Sequence, residues 1–226
     1  MQITFFGHNS FLFKSDISIL TDPFIASNPK AKHIVMEDIK ANHVLITHGH
    51  ADHLADLDKI MAHNDAKIIT MVEVASWLAK QGHSHSHSLN FGGTYEFSKE
   101  TSAKYVQAVH SSSMPDGSYG GHPGSFILKT EGKTIFIAGD TALHSDLKLF
   151  GELNDIDLAI LPIGGNYTMD TEDAVHAAKF LGCSQIIGCH YDSFAEITID
   201  HAEAINLFNS HQLDLQLMAV GASITF

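Results

Sequence analysis

Arginine is absent from this 226-residue sequence: all 13 basic side chains are lysines, against 26 aspartates and glutamates. The guanidinium group is well suited to clamp a phosphate with two parallel hydrogen bonds, and proteins that grip nucleic acid usually present a basic face. A formal net charge of −13 therefore argues against a nuclease and against an anionic membrane surface. A phosphoester substrate is weakened but not excluded, because metal ions can hold a phosphate unaided.

Cysteine and long apolar runs are also scarce. Cys183 and Cys189 are the only cysteines, so no disulfide framework is expected and a reducing cytoplasm is the default location. No apolar run approaches the ~18–20 residues that a membrane span needs. The segment from Met1 to Gly7 lacks a basic region and a cleavage site, so we interpret it as a first strand and not as a signal peptide.

The hydrophobic fraction of 44% is ordinary for a globular protein, and no Pro- or Ser-rich linker divides the chain. We therefore expect one domain over residues 1–226. Runs rich in Ile, Val, Phe and Thr predict strands at Ile3–Phe6, Ser10–Lys14, Ile17–Thr21, His43–Thr47, Lys67–Thr70, Thr94–Phe97, Lys104–Val109, Gly124–Thr130, Thr134–Ala138, Leu158–Leu161, Gln185–Cys189 and Leu215–Val220. Periodicity and capping residues predict helices at Asp52–His63, Val72–Gln81, Asp170–Leu181 and Asp200–Ser210.

The order of these elements repeats along the chain. Hairpin-like strands are followed by strand–helix units in the first third, and the last third does the same. This pattern predicts an α/β protein with two similar halves, whose mixed sheets pack face to face with helices outside. The expected architecture is a four-layer αβ/βα sandwich.

A dense group of metal-ligand side chains follows the predicted strand His43–Thr47. Four imidazoles or carboxylates occur within six residues, in the run His48-Gly49-His50-Ala51-Asp52-His53. His48 and His50 are two apart on an extended turn and can point to one ion, whereas Asp52 and His53 start a helix and can face a second. Such ligands suit Zn²⁺, Mn²⁺ or Fe²⁺. A His-rich polar loop does not explain this spacing as well.

Three more ligand-type residues occupy the same setting at other strands. His110 follows Lys104–Val109, Asp140 follows Thr134–Ala138, and His190 follows Gln185–Cys189. Sheets in α/β proteins usually place their sites at the carboxyl ends of strands. We therefore expect these three residues to join the cluster.

Together these motifs resemble those of the metallo-β-lactamase superfamily, and the resemblance covers nearly the whole chain. They are Thr47-His48-Gly49-His50-Ala51-Asp52-His53, His110, Gly139-Asp140-Thr141 and His190. Further marks resemble a poorly characterised bacterial branch of metal-dependent hydrolases: Gly7-His8-Asn9-Ser10-Phe11, Leu20-Thr21-Asp22-Pro23-Phe24, His110-Ser111-Ser112 and residues 162–169. That branch is similar to L-ascorbate-6-phosphate lactonases and, more distantly, to the phospholipase D that hydrolyses N-acyl-phosphatidylethanolamines.

The resemblance implies two divalent ions per chain, zinc first, with manganese or iron as alternatives. One ion would be held by His48, His50 and His110 and the other by Asp52, His53 and His190, with Asp140 bridging them. It also implies a metal-bridging hydroxide as the nucleophile, with Asp52 or Asp140 taking or relaying the proton. This chemistry is physically sound, because two cations lower the pKa of a bound water and polarise the scissile bond.

Four residues around this cluster are candidates for supporting roles. Asp22, before Pro23, is interpreted as a carboxylate that orients a ligand histidine, although an Asp before Pro is also a common turn starter. His8 projects towards substrate or is an ordinary loop histidine. Thr168 and Met169 line the pocket, or Met169 only fills the core.

Two loops are left open. The segment Ser111–Gly121 is either a substrate flap or a connector. The tract His83–His87 is interpreted as a polar loop between a helix and a strand, with metal scavenging as the alternative.

The leading functional hypothesis is a hydrolase of an ester, lactone, amide or phosphoester bond in a small molecule. The alternatives are a nuclease or phosphodiesterase, which the charge disfavours, and a metal-binding sensor that has lost catalysis. A homo-oligomer is compatible with the sequence, which does not identify the substrate.

Overall fold

Two seven-stranded sheets form the centre of the protein, in a computed structural model that describes residues 1–226. The strands of the first sheet are β1 (Gln2–Gly7), β2 (Ser10–Lys14), β3 (Ser18–Thr21), β4 (His43–Leu45), β5 (Lys67–Met71), β6 (Ser86–Leu89) and β14 (Ser223–Thr225), in the order β14-β1-β2-β3-β4-β5-β6. Those of the second are β7 (Thr94–Glu96), β8 (Ser102–Gln107), β9 (Gly124–Thr130), β10 (Lys133–Ile137), β11 (Leu158–Pro162), β12 (Gln185–Cys189) and β13 (Asp214–Gln216), in the order β13-β12-β11-β10-β9-β8-β7.

Six α-helices flank the sheets: α1 (Ala51–Leu54), α2 (Leu57–Met61), α3 (Val72–Lys80), α4 (Asp146–Leu153), α5 (Thr171–Leu181) and α6 (His201–Ser210). Short 3₁₀ turns lie at Met36–Asp38 and Ala195–Ile197. None of the helices has the length and apolar character that crossing a membrane requires.

Both sheets are mixed in the same way. In the first, β1, β2 and β3 pair antiparallel and β3 to β6 pair parallel. In the second, β7 to β10 pair antiparallel and β10 to β13 pair parallel. The carboxyl ends of β8, β10 and β12 therefore lie at one edge of the second sheet, since two antiparallel steps leave β8 and β10 pointing the same way.

Side chains of β10 show how the layers are held. Ile135 and Ile137 are buried in the larger core of 38 residues, which includes residues of both sheets. Phe136, between them, is buried in a second core of 22 residues with α4, α5 and α6. Because side chains alternate across a strand, one strand packs against both the other sheet and the helices. The predicted two packed mixed sheets with outer helices are confirmed.

The structure corrects three predicted elements and adds two that were not predicted. The single helix expected at Asp52–His63 is two short helices, because Asp56 between them has a non-helical backbone (φ −107°, ψ 13°). The tract His83–His87 is only partly a loop, since β6 begins at Ser86 and pairs parallel with β5. The strand expected at Leu215–Val220 ends at Gln216. Helix α4 and strand β14 were not predicted.

Candidate metal centre

The loop after β4 brings the first ligand pair together. His48 is fully buried, and its Nε2 lies 2.9 Å from Nδ1 of His50. His50 has an extended backbone (φ −66°, ψ 149°) and immediately precedes α1. The two imidazoles therefore present ring nitrogens to one point, as the i, i+2 spacing predicts, whereas Asp52 and His53 lie in the first turn of α1.

Asp140 lies at the centre of the remaining ligand-type residues. Its Oδ2 is 3.1 Å from Nε2 of His190, 3.5 Å from Nε2 of His110 and 3.9 Å from Nε2 of His48. Its Oδ1 is 3.3 Å from Nε2 of His53. The three residues expected at separate strand ends thus meet the cluster from the loop after β4.

The donor atoms divide into two groups, each within 4.8 Å of one another. The first contains His48, His50, His110 and Asp140, and the second contains His8, Asp52, His53 and His190. This division agrees with the ligand sets that the resemblance implies, except that His8 lies within the second group. Its Nε2 is 3.1 Å from Oδ2 of Asp52, and its ring centroid is 4.0 Å from that of His190.

A buried hydrogen-bond chain supports His53 from the side opposite Asp140. Nδ1 of His53 lies 2.9 Å from Oδ2 of Asp22, so the imidazole donates its Nδ1–H to that carboxylate. Thr47 donates both its backbone N–H and its hydroxyl to Asp22, each at 2.8 Å. These bonds fix the ring so that Nε2 faces Asp140. On the other side, Asn9 donates its side-chain N–H to Asp140 Oδ1 at 2.7 Å.

Burial and charge perturb the ionisable groups here. Burial lowers the pKa of His48 well below its usual value, and the neighbouring His53 acts in the same direction. Burial also opposes protonation of His53, but Asp140 and Asp22 outweigh it and raise the pKa of His53. Burial works against ionisation of Asp140, yet His190 and His53 lower its pKa well below the usual range. The site thus concentrates negative charge where a cation would lie.

Backbone strain accompanies three of these positions. His8, Asp22 and His190 have positive φ angles of 56°, 35° and 52°, a region that non-glycine residues rarely adopt. Such strain costs of order 1–3 kcal/mol per residue and tends to occur at functional sites. Gly164 allows close packing beside His190, because a Cβ there would collide with the His190 carbonyl oxygen.

An open cleft of about 300 Å³ exposes the site to solvent. Its lining consists of His50, Asp52, His110, Ser111, Asp140, Tyr167 and His190. Thr168 and Met169, which were candidates for the pocket, do not line it: Met169 is 1% exposed and packs in the second core, and Thr168 is half-buried. Their neighbour Tyr167, 53% exposed, takes that place.

The loop Ser111–Gly121 is anchored at several points. Ser112 accepts a hydrogen bond from the backbone N–H of Gly49 and donates one to the Gly120 carbonyl. Trp77 donates its indole N–H to Asp116 at 2.7 Å, and Met114 is 2% exposed. The segment is therefore a pinned connector that presents Ser111 to the cleft.

The donor set fits divalent metal ions. His53 Nε2 is buried with no hydrogen-bond partner, which is costly unless another group satisfies it. Imidazole nitrogens and carboxylate oxygens are ligands that Zn²⁺, Mn²⁺ and Fe²⁺ accept. Six such side chains around the carboxylate of Asp140 are a suitable site for two ions.

Sequence reasoning assigned no role to Asn9, Thr47, Ser111 and Tyr167, although each lies within a motif that carries the resemblance. Each is a common residue type without a chemical motif of its own. Their positions beside marked residues, such as Thr47 before His48, are the only signal that the sequence carries.

Known proteins with related sequences point in the same direction. A family model for the beta-lactamase superfamily domain matches residues 2–190. The chain is 47% identical over 225 residues to a "UPF0173 metal-dependent hydrolase" of Flavobacterium johnsoniae, covering 99% of each chain. It is 46% identical over 226 residues to a protein of that same name from Christiangramia forsetii, again with 99% of each chain covered.

Solved structures are similar over the full length. Igni18, a metallo hydrolase of Ignicoccus hospitalis, matches with a TM-score of 0.90 and 32% identity, covering 100% of this chain and 97% of that one. An isothiocyanate hydrolase from Delia radicum gut bacteria matches with a TM-score of 0.80 at 20% identity, covering 100% of this chain and 99% of that one. The latter likeness concerns the fold alone.

Proposed function

This chain belongs to the beta-lactamase superfamily, among the UPF0173 metal-dependent hydrolases, and we propose that it uses two divalent ions to hydrolyse a small molecule. The scissile bond would be an ester, lactone, amide or phosphoester. The observation that carries this proposal is the convergence of four imidazoles on Asp140, which lines an open cleft.

The two groups of donor atoms support this assignment of ligands. His48, His50 and His110 would hold one ion, Asp52, His53 and His190 the other, and Asp140 would serve both. When bound, the ions supply a water of lowered pKa and a Lewis acid for the scissile oxygen. Zinc is our first assignment, with manganese or iron as alternatives, since all three accept this donor set.

The protein's own groups would keep the site charged and oriented. Burial opposes ionisation of Asp52, but the hydrogen bond from His8 and the charge of His53 lower its pKa below the usual range. Asp52 is thus an ionised carboxylate in the cleft, the form that could bind an ion and relay a proton. Asp22 would orient His53 through Nδ1, and Asn9 would hold Asp140 in place.

The cleft lining favours a small substrate without a strong anionic charge. It contains no lysine, and the chain has no arginine to clamp a phosphate. Tyr167, exposed at the rim, offers an aromatic face and a hydroxyl to whatever enters. An aromatic face and a hydroxyl can contact many different compounds. They therefore support recognition of an acyl or leaving group and not of one particular compound.

Metal analysis and a substrate panel test this function. Protein purified without a His-tag should contain close to two ions per chain and should hydrolyse at least one of p-nitrophenyl acetate, bis-p-nitrophenyl phosphate or a simple lactone. Asp140→Ala should lose metal and turnover together. A metal content well below one ion per chain would refute the two-ion site. Absence of turnover after reconstitution with each metal would favour the alternative of a metal-binding sensor that has lost catalysis.

A further inference from the structure

A second pocket lies behind the metal centre, on the other side of His8. Its volume is about 190 Å³, and His8 and Ser193 form the wall nearest the metal ligands. His8 is 1% exposed, with Nδ1 3.2 Å from the Ser193 hydroxyl and Nε2 3.1 Å from Asp52. This rear pocket shares no lining residue with the cleft, so it is a separate site one side chain away.

The acceptor groups of the rear pocket are already used within the protein. Asp192 Oδ2 accepts a hydrogen bond from His201 at 2.7 Å, and its Oδ1 accepts one from the Ile199 backbone N–H at 3.2 Å. The single carboxylate in the lining is therefore committed to its own loop. A cationic ligand would find no free carboxylate there.

A donor group, by contrast, is left without a partner. Asn28 is fully buried, and its Oδ1 accepts the backbone N–H of Lys30 at 3.0 Å. That bond fixes the amide orientation, so the free end is the NH₂ group. Its Nδ2 has no hydrogen-bond partner, which is unfavourable for a buried donor. Gly7 makes room for it, because a Cβ at Gly7 would lie 2.6 Å from Nδ2.

Lys30 adds a positive charge beside this donor. Its exposed side chain lines the rear pocket, and the protein's ion pairs do not include it. Phe5 and Met218, both buried, supply apolar surface in the same pocket. The uncommitted groups are thus a cation, an amide donor and an apolar wall.

We propose that the rear pocket binds a compact carboxylate that carries a short apolar tail. The carboxylate would accept hydrogen bonds from Lys30 and Asn28, and the tail would lie against Phe5 and Met218. The volume suits a small metabolite, since pockets for drug-sized ligands measure about 300–1,000 Å³. Binding here does not depend on the proposed hydrolysis, because the pocket lies outside the cleft.

Calorimetric titration of the metal-loaded protein with butyrate tests this site. Acetate tests the contribution of the tail, and n-butylamine, cationic at neutral pH, tests the sign of the charge. Lys30→Gln removes the cation at an exposed position. Lys32→Gln is the matched control, since it removes the same charge two residues away from a side chain outside the lining.

Butyrate should bind saturably and more tightly than acetate, with n-butylamine showing no binding. Lys30→Gln should weaken butyrate binding about tenfold, as expected for loss of a charge-assisted hydrogen bond, and Lys32→Gln should leave it unchanged. If butyrate bound to the metal ions and not in the rear pocket, the two substitutions would change its affinity equally. Equal affinities in the two variants, or n-butylamine binding as tightly as butyrate, would overturn the proposal.

Discussion

Two carboxylates of the candidate metal centre, Asp22 and Asp140, differ in their surroundings. Asp22 receives three hydrogen bonds, two from Thr47 and one from His53, and is 1% exposed. Burial raises the pKa of Asp22, against the effect of His53. Asp140 instead faces four imidazoles. These surroundings support the proposal that Asp22 orients a ligand and that Asp140 binds the ions.

Replacing Asp22 by Asn tests that orienting role. The amide keeps the size but loses the charge that holds the His53 ring, so we expect metal affinity to fall about 10–100-fold. Competition with a chromophoric chelator measures this affinity. Asp58→Asn is the control, because Asp58 also contacts a histidine, His83, but at an exposed position. Equal affinities of the Asp22 variant and the unmodified protein would contradict the assignment.

At the scale of elements, hydrogen bonds from aspartate side chains to backbone N–H groups hold the ends of loops in place. Asp170 and Asp200 accept the backbone N–H groups of Asp173 and Glu203, each at 2.9 Å, as predicted for the starts of α5 and α6. Asp56, between α1 and α2, instead reaches across to the loop after β3. It accepts the N–H groups of Ile25 and Ser27 at 2.8 Å.

Asp56→Asn should therefore destabilise the fold. Burial opposes ionisation of Asp56, but hydrogen bonds from Lys59, Ser27 and Ile25 lower its pKa below the usual range. Loss of the charge should reduce the free energy of unfolding at pH 7 by about 2 kcal/mol, the scale of hydrogen bonds to charged groups. Urea unfolding followed by circular dichroism measures this difference.

The pH dependence gives a sharper check on Asp56. A carboxylate with a lowered pKa in the folded state contributes stability above its unfolded pKa of about 3.9, and that contribution is lost as the pH falls further. The difference between Asp56→Asn and the unmodified protein should therefore be constant at pH 6–7 and shrink below about pH 4. Asp65→Asn, at a fully exposed position, should match the unmodified protein throughout. A difference that persists unchanged at low pH would point to packing and not to charge.

At the scale of the molecule, the candidate ligands come from both sheets. His48 to His53 follow β4 of the first sheet, whereas His110, Asp140 and His190 follow β8, β10 and β12 of the second. A pair of ions between them would connect the two halves. Ions that bind only the folded state stabilise it by mass action.

Removal of metal should accordingly lower the unfolding temperature. At a metal concentration of 1,000 times Kd this linkage contributes about 4 kcal/mol, which corresponds to roughly 10 °C for a domain of this size. Scanning calorimetry before and after dialysis against a chelator measures the shift, and added metal should restore it. The unfolding temperature of the Asp140→Ala variant should change little on treatment with the chelator. An unchanged unfolding temperature in the unmodified protein would mean that the ions do not connect the halves.

The sequence by itself determined the layered α/β architecture and the candidate ligands, because both depend on local patterns. Runs rich in Ile, Val, Phe and Thr identify the strands, and the run from His48 to His53 places four donors within six residues whatever the rest of the chain does. Capping at Asp170 and Asp200 is equally local. Strands β6 and β14 were missed because these short, polar segments become regular by pairing with β5 and β1. Helix α4 was missed although its amphipathic pattern is local.

Only the tertiary structure decided how distant residues meet. It brought Asp140 within 4 Å of four imidazoles, placed His8 behind Asp52, and exposed Tyr167 where Thr168 and Met169 were expected. It also put Asn28 and Lys30 beside His8. The physical reason is that burial, orientation and an unpartnered donor arise from contacts between segments far apart in the chain, which no local pattern encodes.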